Sequence, residues 1–218
     1  MTRTVSWYGT SVGKKLVMGV TGIILLAYLF FHLLGNLQIY IGRGMLNNYA
    51  HLLHVAPHIL WTVRLILIAA VALHILASIQ LALQNYVARP TKYRKLAYDK
   101  ASYASRTMMW SGPIVGAFVL YHVLHLTTGS VGPAFNPDDV YANVVAGFQV
   151  WYVSLFYIVA LVLLGFHIWH GAWSFFQSLG LNHPAYNRWR RVFAIAFTLF
   201  VVIGNISIPI SVLTGIVG

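Results

Sequence analysis

The sequence contains no cysteine and no glutamate, and only 8% of its 218 residues are charged. Without cysteine the chain cannot form disulfides, bind iron–sulfur clusters, ligate haem through a thiolate or attach haem covalently. Any cofactor must therefore be bound by histidine, methionine or tyrosine. Soluble domains carry about a quarter charged residues, whereas this chain has a mean hydropathy of +0.75. We therefore expect a membrane protein.

Five hydrophobic stretches are long enough to cross a membrane as helices, which requires about 20 apolar residues for a hydrocarbon core of roughly 30 Å. They are residues 16–41, 59–83, 108–126, 150–176 and 192–217. The first stretch is too long for the core of a signal peptide, so we interpret it as a retained anchor. The sequence predicts an all-α membrane protein in which one five-helix transmembrane bundle forms a single domain over residues 1–218.

The basic residues are distributed unevenly between the connections. Twelve of the 14 lie in the N-terminal segment or follow the second and fourth spans: Arg3, Lys14, Lys15, Arg89, Lys92, Arg94, Lys95, Lys100, Arg106, Arg188, Arg190 and Arg191. Only Arg43 and Arg64 lie towards the other face, where the loop after the third span carries Asp138 and Asp139. Because Lys and Arg are retained on the cytoplasmic side, we predict a cytoplasmic N-terminus and an outside C-terminus. This topology accounts for most of the formal net charge of +11 without nucleic-acid binding.

Histidine is the most informative residue type, because six of the ten histidines fall inside the predicted spans: His32, His74, His122, His125, His167 and His170. An ionisable side chain within hydrocarbon is costly unless it is paired or ligated. One such histidine is more often a hydrogen-bonded packing residue. Four helices that each supply at least one are typical of bundles that hold haem between two imidazoles.

The depths of these histidines suggest two levels. At about 1.5 Å per residue, His32 and His122 lie roughly 10 to 12 Å from the outer ends of their spans, and His74 and His167 lie roughly 20 to 24 Å from them. An outer and an inner pair predict two stacked haems b, and haem iron with both axial positions filled is suited to electron transfer rather than oxygen binding. Other metals are less expected because the spans lack carboxylates. The alternative from a different class of protein is a transporter or channel whose transport pathway is lined by these histidines.

Several sequence blocks carry a family resemblance: SVGKKLVMGVTG, FFHLLGNLQIY, NNYAHLLH, VRLILIAAVALHI, RPTKYR, YASRTMMWSGPIVGAFVLYHVLHLTTG and FHIWHGAWSFFQSLGLNHPAY. Together they resemble the five-helix dihaem cytochrome b anchor of bacterial succinate:quinone oxidoreductases. This is the cytochrome b558 subunit of succinate dehydrogenase or, for the reverse reaction, the cytochrome b subunit of fumarate reductase. The anchor of another respiratory dehydrogenase or hydrogenase would share the four ligands but not the HLLGN, YASRTM and HGAWSFFQSLG blocks.

The resemblance implies partners and a location. A flavoprotein that oxidises succinate and an iron–sulfur protein would dock on the cytoplasmic face of the bacterial cytoplasmic (inner) membrane, forming respiratory complex II of the tricarboxylic acid cycle. Succinate oxidation would reside in those partners, while this chain would transfer electrons to or from a membrane quinone, often menaquinone.

The resemblance also implies ligands by motif position: His32 and His122 for the outer haem, and His74 and His167 for the inner haem. His125 and His170, one turn further along their helices, are the alternative ligands, or else they form hydrogen bonds to a propionate, a quinone or a neighbouring helix.

Other candidate residues lie near the membrane surfaces. Arg64 could pair with a propionate or quinone, although an arginine there commonly extends to the lipid headgroups. His51, His54 and His58 have a spacing that could bind zinc, although an interfacial amphipathic helix is the ordinary interpretation. The sequence indicates no partner for His183.

Two further groups are less specific. Polar residues on the inner side could form a quinone or docking surface: Ser11, Lys14, Lys15, Ser105 and Arg106. Small residues in the spans could admit a flat cofactor or simply allow close helix packing: Gly19, Gly22, Gly112, Gly116 and Gly165.

Overall fold

The computed structural model describes residues 6–88 and 103–218, with side chains in the second range described from residue 106 onward. Seven α-helices occur in these ranges: α1 (Ser11–Asn36), α2 (Arg43–Val55), α3 (Pro57–Val87), α4 (Tyr103–Leu126), α5 (Val140–Gln149), α6 (Trp151–Ser178) and α7 (Asn187–Leu213). Short 3₁₀ turns occupy Trp7–Gly9, Leu37–Tyr40 and Pro184–Tyr186. Five segments, built on α1, α3, α4, α6 and α7, are long and apolar enough to span a membrane. The predicted all-α, five-helix membrane fold is therefore confirmed.

Six of the eight described basic residues lie at one end of the bundle, and Arg43 and Arg64 lie towards the other. Gly19 of α1 faces Ser178 near the end of α6, so the start of α1 lies beside the connection that leads into α7. We call this the basic end. The opposite end, which carries α2 and α5, is called the capped end. Six basic residues of the predicted inner side lie outside the described residues: Arg3, Arg89, Lys92, Arg94, Lys95 and Lys100. The cytoplasmic location of the basic end stays a prediction.

Helix α6 forms the centre of the bundle. It packs against α7, α4 and α1, and its buried face includes Ser154, Tyr157, Leu161 and Ile168. Close approach to α7 depends on Gly165, because a Cβ atom there would lie 2.8 Å from the Cγ2 atom of Val202. This glycine therefore serves helix packing, which was one of its two predicted roles.

Helix α1 begins at Ser11, five residues before the predicted span. The Thr10 side chain caps the helix by accepting a hydrogen bond from the Gly13 amide at 3.0 Å, as expected for an N-cap threonine. Lys14 is buried, and its Nζ atom donates to the Gly9 carbonyl at 3.1 Å. The charge pattern places Lys14 on the surface, whereas in the structure its side chain stabilises the N-terminal turn.

The capped end contains a helix that the sequence did not predict. Helix α5 begins after Asp139, whose carboxylate accepts from the Ala142 amide at 3.1 Å and so caps the helix. The same carboxylate pairs with the Arg43 guanidinium and accepts from Asn47 Nδ2 at 2.8 Å. These contacts join α5 to α2. They also hold the pKa of Asp139 at about 2, chiefly through the hydrogen bonds from Arg43 and Asn47.

Candidate functional site

His32 and His122 face each other from α1 and α4. Their ring centroids are 5.7 Å apart and their planes are nearly perpendicular, at 89°. Tyr28, one turn before His32, stacks on the His32 ring at 5.3 Å. Phe118 lies against His122 with a centroid separation of 6.0 Å. The structure thus brings the predicted outer pair together in aromatic surroundings.

His74 and His167 form a second facing pair, from α3 and α6. Their ring centroids are 6.3 Å apart and their planes are inclined by 59°. The Nδ1 atom of His74 lies 3.2 Å from the Thr21 hydroxyl on α1, whereas the Nδ1 atom of His167 is buried without a hydrogen-bond partner in the described part of the chain. The predicted inner pair is therefore also brought together.

The separation of the rings suits a metal bound between them. An imidazole nitrogen binds a transition metal at about 2 Å, so two imidazoles on opposite sides of one metal have centroids roughly 6 Å apart. Both pairs have this spacing, and neither has a direct ring-to-ring hydrogen bond among the described contacts. Two neutral imidazoles without carboxylates are a typical donor set for haem iron.

The histidine pairs join helices that are not the closely packed neighbours. Close helix packing in the described residues joins α1 to α3, α4 to α6 and α6 to α7. The histidine pairs instead link α1 to α4 and α3 to α6, which do not pack closely along their lengths within the same residues. Each pair therefore bridges two helices that are not in tight contact with each other.

Two glycines line the inner pair. A Cβ atom at Gly22 would lie 3.6 Å from Cε1 of His74, and one at Gly112 would lie 3.9 Å from Cε1 of His167. A Cβ at Gly116 would meet nothing within 4 Å, whereas Gly19 packs against Ser178. Of the small residues singled out in the sequence, Gly22 and Gly112 are thus the ones adjacent to the histidines.

His125 points away from the paired rings. It is 3% exposed, and its Nδ1 atom lies 2.9 Å from the hydroxyl of Tyr157 on α6. Its ring fills the space that Cβ atoms at Gly132 and Gly147 would occupy, at 2.6 and 2.7 Å. This position, between α4 and the capped end, favours His122 over His125 as the residue facing α1.

The remaining histidines occupy separate places. His170 is half-buried one turn beyond His167, and the ring that faces His74 belongs to His167. His183 caps the turn Pro184–Tyr186 by accepting from the Ala185 amide at 3.2 Å. The partner of His183 is thus a backbone amide two residues further along the chain, which the sequence did not reveal.

The zinc alternative for the capped end is not supported. His51 and His54 lie on α2, but His58 lies on α3 after a break at Ala56. No group of three or more potential metal-binding side chains occurs among the described residues. A helix is present here as α2, its location at the membrane interface stays a prediction, and the three histidines are exposed on α2 and on the start of α3.

The other predicted residues near the surfaces remain individual features. The Arg64 guanidinium lies over the Trp61 ring, 5.2 Å from its centroid, an arrangement typical of a cation–π contact. At the basic end, Ser11 and Lys15 are exposed at the start of α1. Arg106 lies at the corresponding end of α4, and the side chain of Ser105 lies outside the described residues.

The burial and contacts of three polar residues were not predicted from the sequence. Thr21 contacts the inner pair, and Tyr157 contacts His125 and lies 3.5 Å from Nδ1 of His122. Arg190 is 3% exposed, stacks on Trp173 and donates to Asn182 Oδ1 at 2.6 Å. Thr21 and Tyr157 carried no sequence signal, since each partner histidine lies more than 30 positions away along the chain.

These features define a multi-pass helical membrane protein whose interior presents two facing pairs of imidazoles. A family model described as "Succinate dehydrogenase/Fumarate reductase transmembrane subunit" matches residues 87–203, more than half of the chain. The chain belongs to this family, which confirms the resemblance noted in the sequence. The matched region contains His122 and His167 but not His32 or His74. No curated protein and no solved structure gave a significant match.

Proposed function

We propose that this chain is the dihaem cytochrome b anchor subunit of a succinate:quinone oxidoreductase, or of a fumarate reductase working in the reverse direction. The observation that carries the proposal is the arrangement of four intramembrane histidines from four helices as two facing pairs. Membership of the transmembrane-subunit family supplies the redox complex in which such pairs would act.

Each proposed haem would be held by two residues of this chain. His32 and His122 would bind the outer iron, and His74 and His167 the inner iron, in each case through neutral imidazole nitrogens. Gly22 and Gly112 would leave space beside the inner ligands. When bound, a haem with two imidazole ligands supplies one-electron transfer and leaves no position for oxygen.

The contribution of the polypeptide is to hold the two levels at fixed depths. On α1, Thr21 next to the inner pair and His32 of the outer pair are 11 residues apart, or about 16 Å along a helix. Eleven residues are close to three full turns, so both residues lie on the same face. A single rigid helix would thus set the separation between the two electron-transfer sites.

The basic end is the proposed docking face for the flavoprotein and iron–sulfur subunits. Lys15, Arg188 and Arg191 are exposed there, and the excess of basic residues favours a cytoplasmic location under the positive-inside rule. Electrons from succinate would enter near the inner pair and leave towards the outer pair, or follow the opposite path during fumarate reduction. The membrane would be the bacterial cytoplasmic membrane.

The membrane substrate would be a quinone, with menaquinone as the expected type. Arg64 lies towards the capped end and is our candidate for contact with a quinone or a propionate. The three acidic residues of the sequence lie outside the five spans, so proton transfer through carboxylates of this chain forms no part of the proposal.

The proposal is tested by expressing this chain together with its flavoprotein and iron–sulfur partners in membranes. We expect the three subunits to co-purify, with two low-spin b-type haems per chain and succinate-dependent quinone reduction. A dihaem chain that associates with a formate dehydrogenase or hydrogenase would instead identify another respiratory anchor. A stably folded, colourless protein would contradict the electron-transfer role and favour a histidine-lined transporter.

A further inference from the structure

The Thr21 hydroxyl has a defined orientation in the interior of the bundle. Thr21 is 5% exposed, and its Oγ1 atom donates to the Val17 carbonyl at 2.7 Å, with the Met18 carbonyl also within 3.2 Å. A hydroxyl has one hydrogen and two lone pairs. Because that hydrogen is directed at the backbone of α1, the lone pairs of Oγ1 are available to a neighbouring donor.

That neighbour is the ring of His74. Its Nδ1 atom lies 3.2 Å from Thr21 Oγ1, within the usual range for an N–H···O hydrogen bond. Because the hydroxyl hydrogen is directed at the backbone, this contact is a hydrogen bond in the tautomer whose Nδ1 carries the proton and donates it, and the adjacent Met18 carbonyl, which also hydrogen-bonds the ring, favours the same tautomer. The Nε2 atom is then unprotonated, which is the form in which an imidazole binds a metal.

We propose that Thr21 is a positioning residue of the inner haem site, which fixes the tautomer and orientation of His74 and raises the basicity of its Nε2 atom. This inference rests on the proposed function. A hydrogen bond accepted from the far nitrogen of a metal-binding histidine increases electron donation to the metal, which favours the oxidised state. Thr21 therefore lowers the reduction potential of the inner haem.

The other paired histidines lack an equivalent contact in the part of the chain that is described. Nδ1 of His167 has no hydrogen-bond partner. Nδ1 of His32 and Nδ1 of His122 each lie 3.5 Å from a tyrosine hydroxyl, beyond the usual range of a hydrogen bond. The effect of removing the Thr21 hydroxyl should consequently be confined to one haem.

The test is an optical redox titration of the purified holo-complex carrying Thr21→Val, which removes the hydroxyl and keeps the shape of the side chain. We expect the inner haem to become easier to reduce by about tenfold in its oxidation–reduction equilibrium, a shift of about 59 mV for a one-electron couple. The electron paramagnetic resonance signal of that haem should shift as well, while the outer haem is unchanged. The His167→Ala and His122→Ala variants assign the signals to the inner and outer sites.

Two variants separate positioning from packing. Thr21→Ser restores the hydroxyl and should return the inner potential to that of the wild type. Thr198→Val is the matched control, because the Thr198 hydroxyl on α7 is buried without a partner among the described atoms, and it should leave both potentials unchanged.

If Thr21→Val loses the inner haem and Thr21→Ser retains it, the positioning role is supported in a stronger form. Unchanged potentials in Thr21→Val, equal shifts in both haems, or a Thr21→Ser variant that behaves like Thr21→Val would overturn the inference. None of these outcomes contradicts the proposed function. The proposed function is contradicted by a different result, a wild-type protein that contains no inner haem.

Discussion

The inner and outer histidine pairs share a spacing but differ in their surroundings. The inner pair is flanked by glycines, and one of its rings is held by the Thr21 hydroxyl. The outer pair is surrounded by aromatic rings, with Tyr28 stacked on His32 and Phe118 against His122. In the outer pair, the Nδ1 atom of each ring lies 3.5 Å from the nearest tyrosine hydroxyl. Two sites with the same proposed ligands thus have different hydrogen bonding, which is a principal means of tuning haem potentials.

The largest expected effect is the separate loss of either haem. Replacing His74 or His167 with Ala should remove the inner haem and leave the outer one, because the iron would lose one of its two proposed ligands. Replacing His32 or His122 should have the converse effect. The haem-to-protein ratio of the purified complex, measured as the pyridine haemochrome, should fall from two to one in each case.

The matched controls for that series are the neighbouring histidines. His170→Ala and His125→Gln should retain both haems, since the rings that form the two facing pairs belong to His122 and His167. A His122→Ala protein that still contains two haems would transfer the outer ligand role to His125 and contradict the proposed pair.

The second prediction concerns space at the inner pair. Gly22→Leu should reduce inner-haem occupancy several-fold, because its side chain would extend past the Cβ position 3.6 Å from His74 into the gap. Gly22→Ala adds only an atom at van der Waals distance and should be tolerated. The measurement is the ratio of the two haem signals in the reduced-minus-oxidised spectrum.

Val20→Leu provides the control for this prediction. Val20 lies two residues away on α1 and is 46% exposed, so a larger side chain there has room outside the bundle. Full inner-haem occupancy in Gly22→Leu, or an equal loss in Val20→Leu, would show that the glycine does not serve the cofactor.

The smallest expected effect is a loss of stability caused by a substitution at the capped end. Asp139→Asn should destabilise the protein by about 0.5 to 1 kcal/mol at pH 7, a modest value because the Arg43 side chain is 65% exposed and its pairing is screened by solvent. The pKa of Asp139 is lowered from 3.8 to about 2, chiefly by Arg43. The stabilisation is therefore present above about pH 4 and is lost as the pH falls towards 2.

Thermal unfolding in detergent, followed by circular dichroism, measures this difference. Asp138→Asn is the matched control, since Asp138 is exposed and adjacent in sequence. The difference in stability between Asp139→Asn and the wild type should disappear at low pH. If it persists unchanged, the stabilisation does not come from the charge of the Asp139 carboxylate.

Sequence reasoning predicted what depends on helical periodicity and membrane depth. The five spanning helices and the two facing pairs follow from hydropathy and from a rise of about 1.5 Å per residue. The choice between His122 and His125 could not be made in this way, because residues three apart share a helix face. The rotation of α4 that turns His125 towards Tyr157 depends on tertiary packing.

Contacts between distant segments were likewise out of reach. Helix α5 is short and depends on Asp139 being paired with residues of α2. In the sequence, Thr21 looks like any other threonine in an apolar helix. Its contact with His74 exists only because α3 packs beside α1. Small polar residues of this kind are selected by their partners, so a single sequence does not reveal them.

The central claim is that each facing pair holds one haem. A cryo-electron microscopy map of the purified complex tests it most directly. We expect two planar macrocycle densities, one joined to His32 and His122 and the other joined to His74 and His167. A map in which the imidazoles of either pair contact each other, or in which lipid fills the gap between them, would contradict the account.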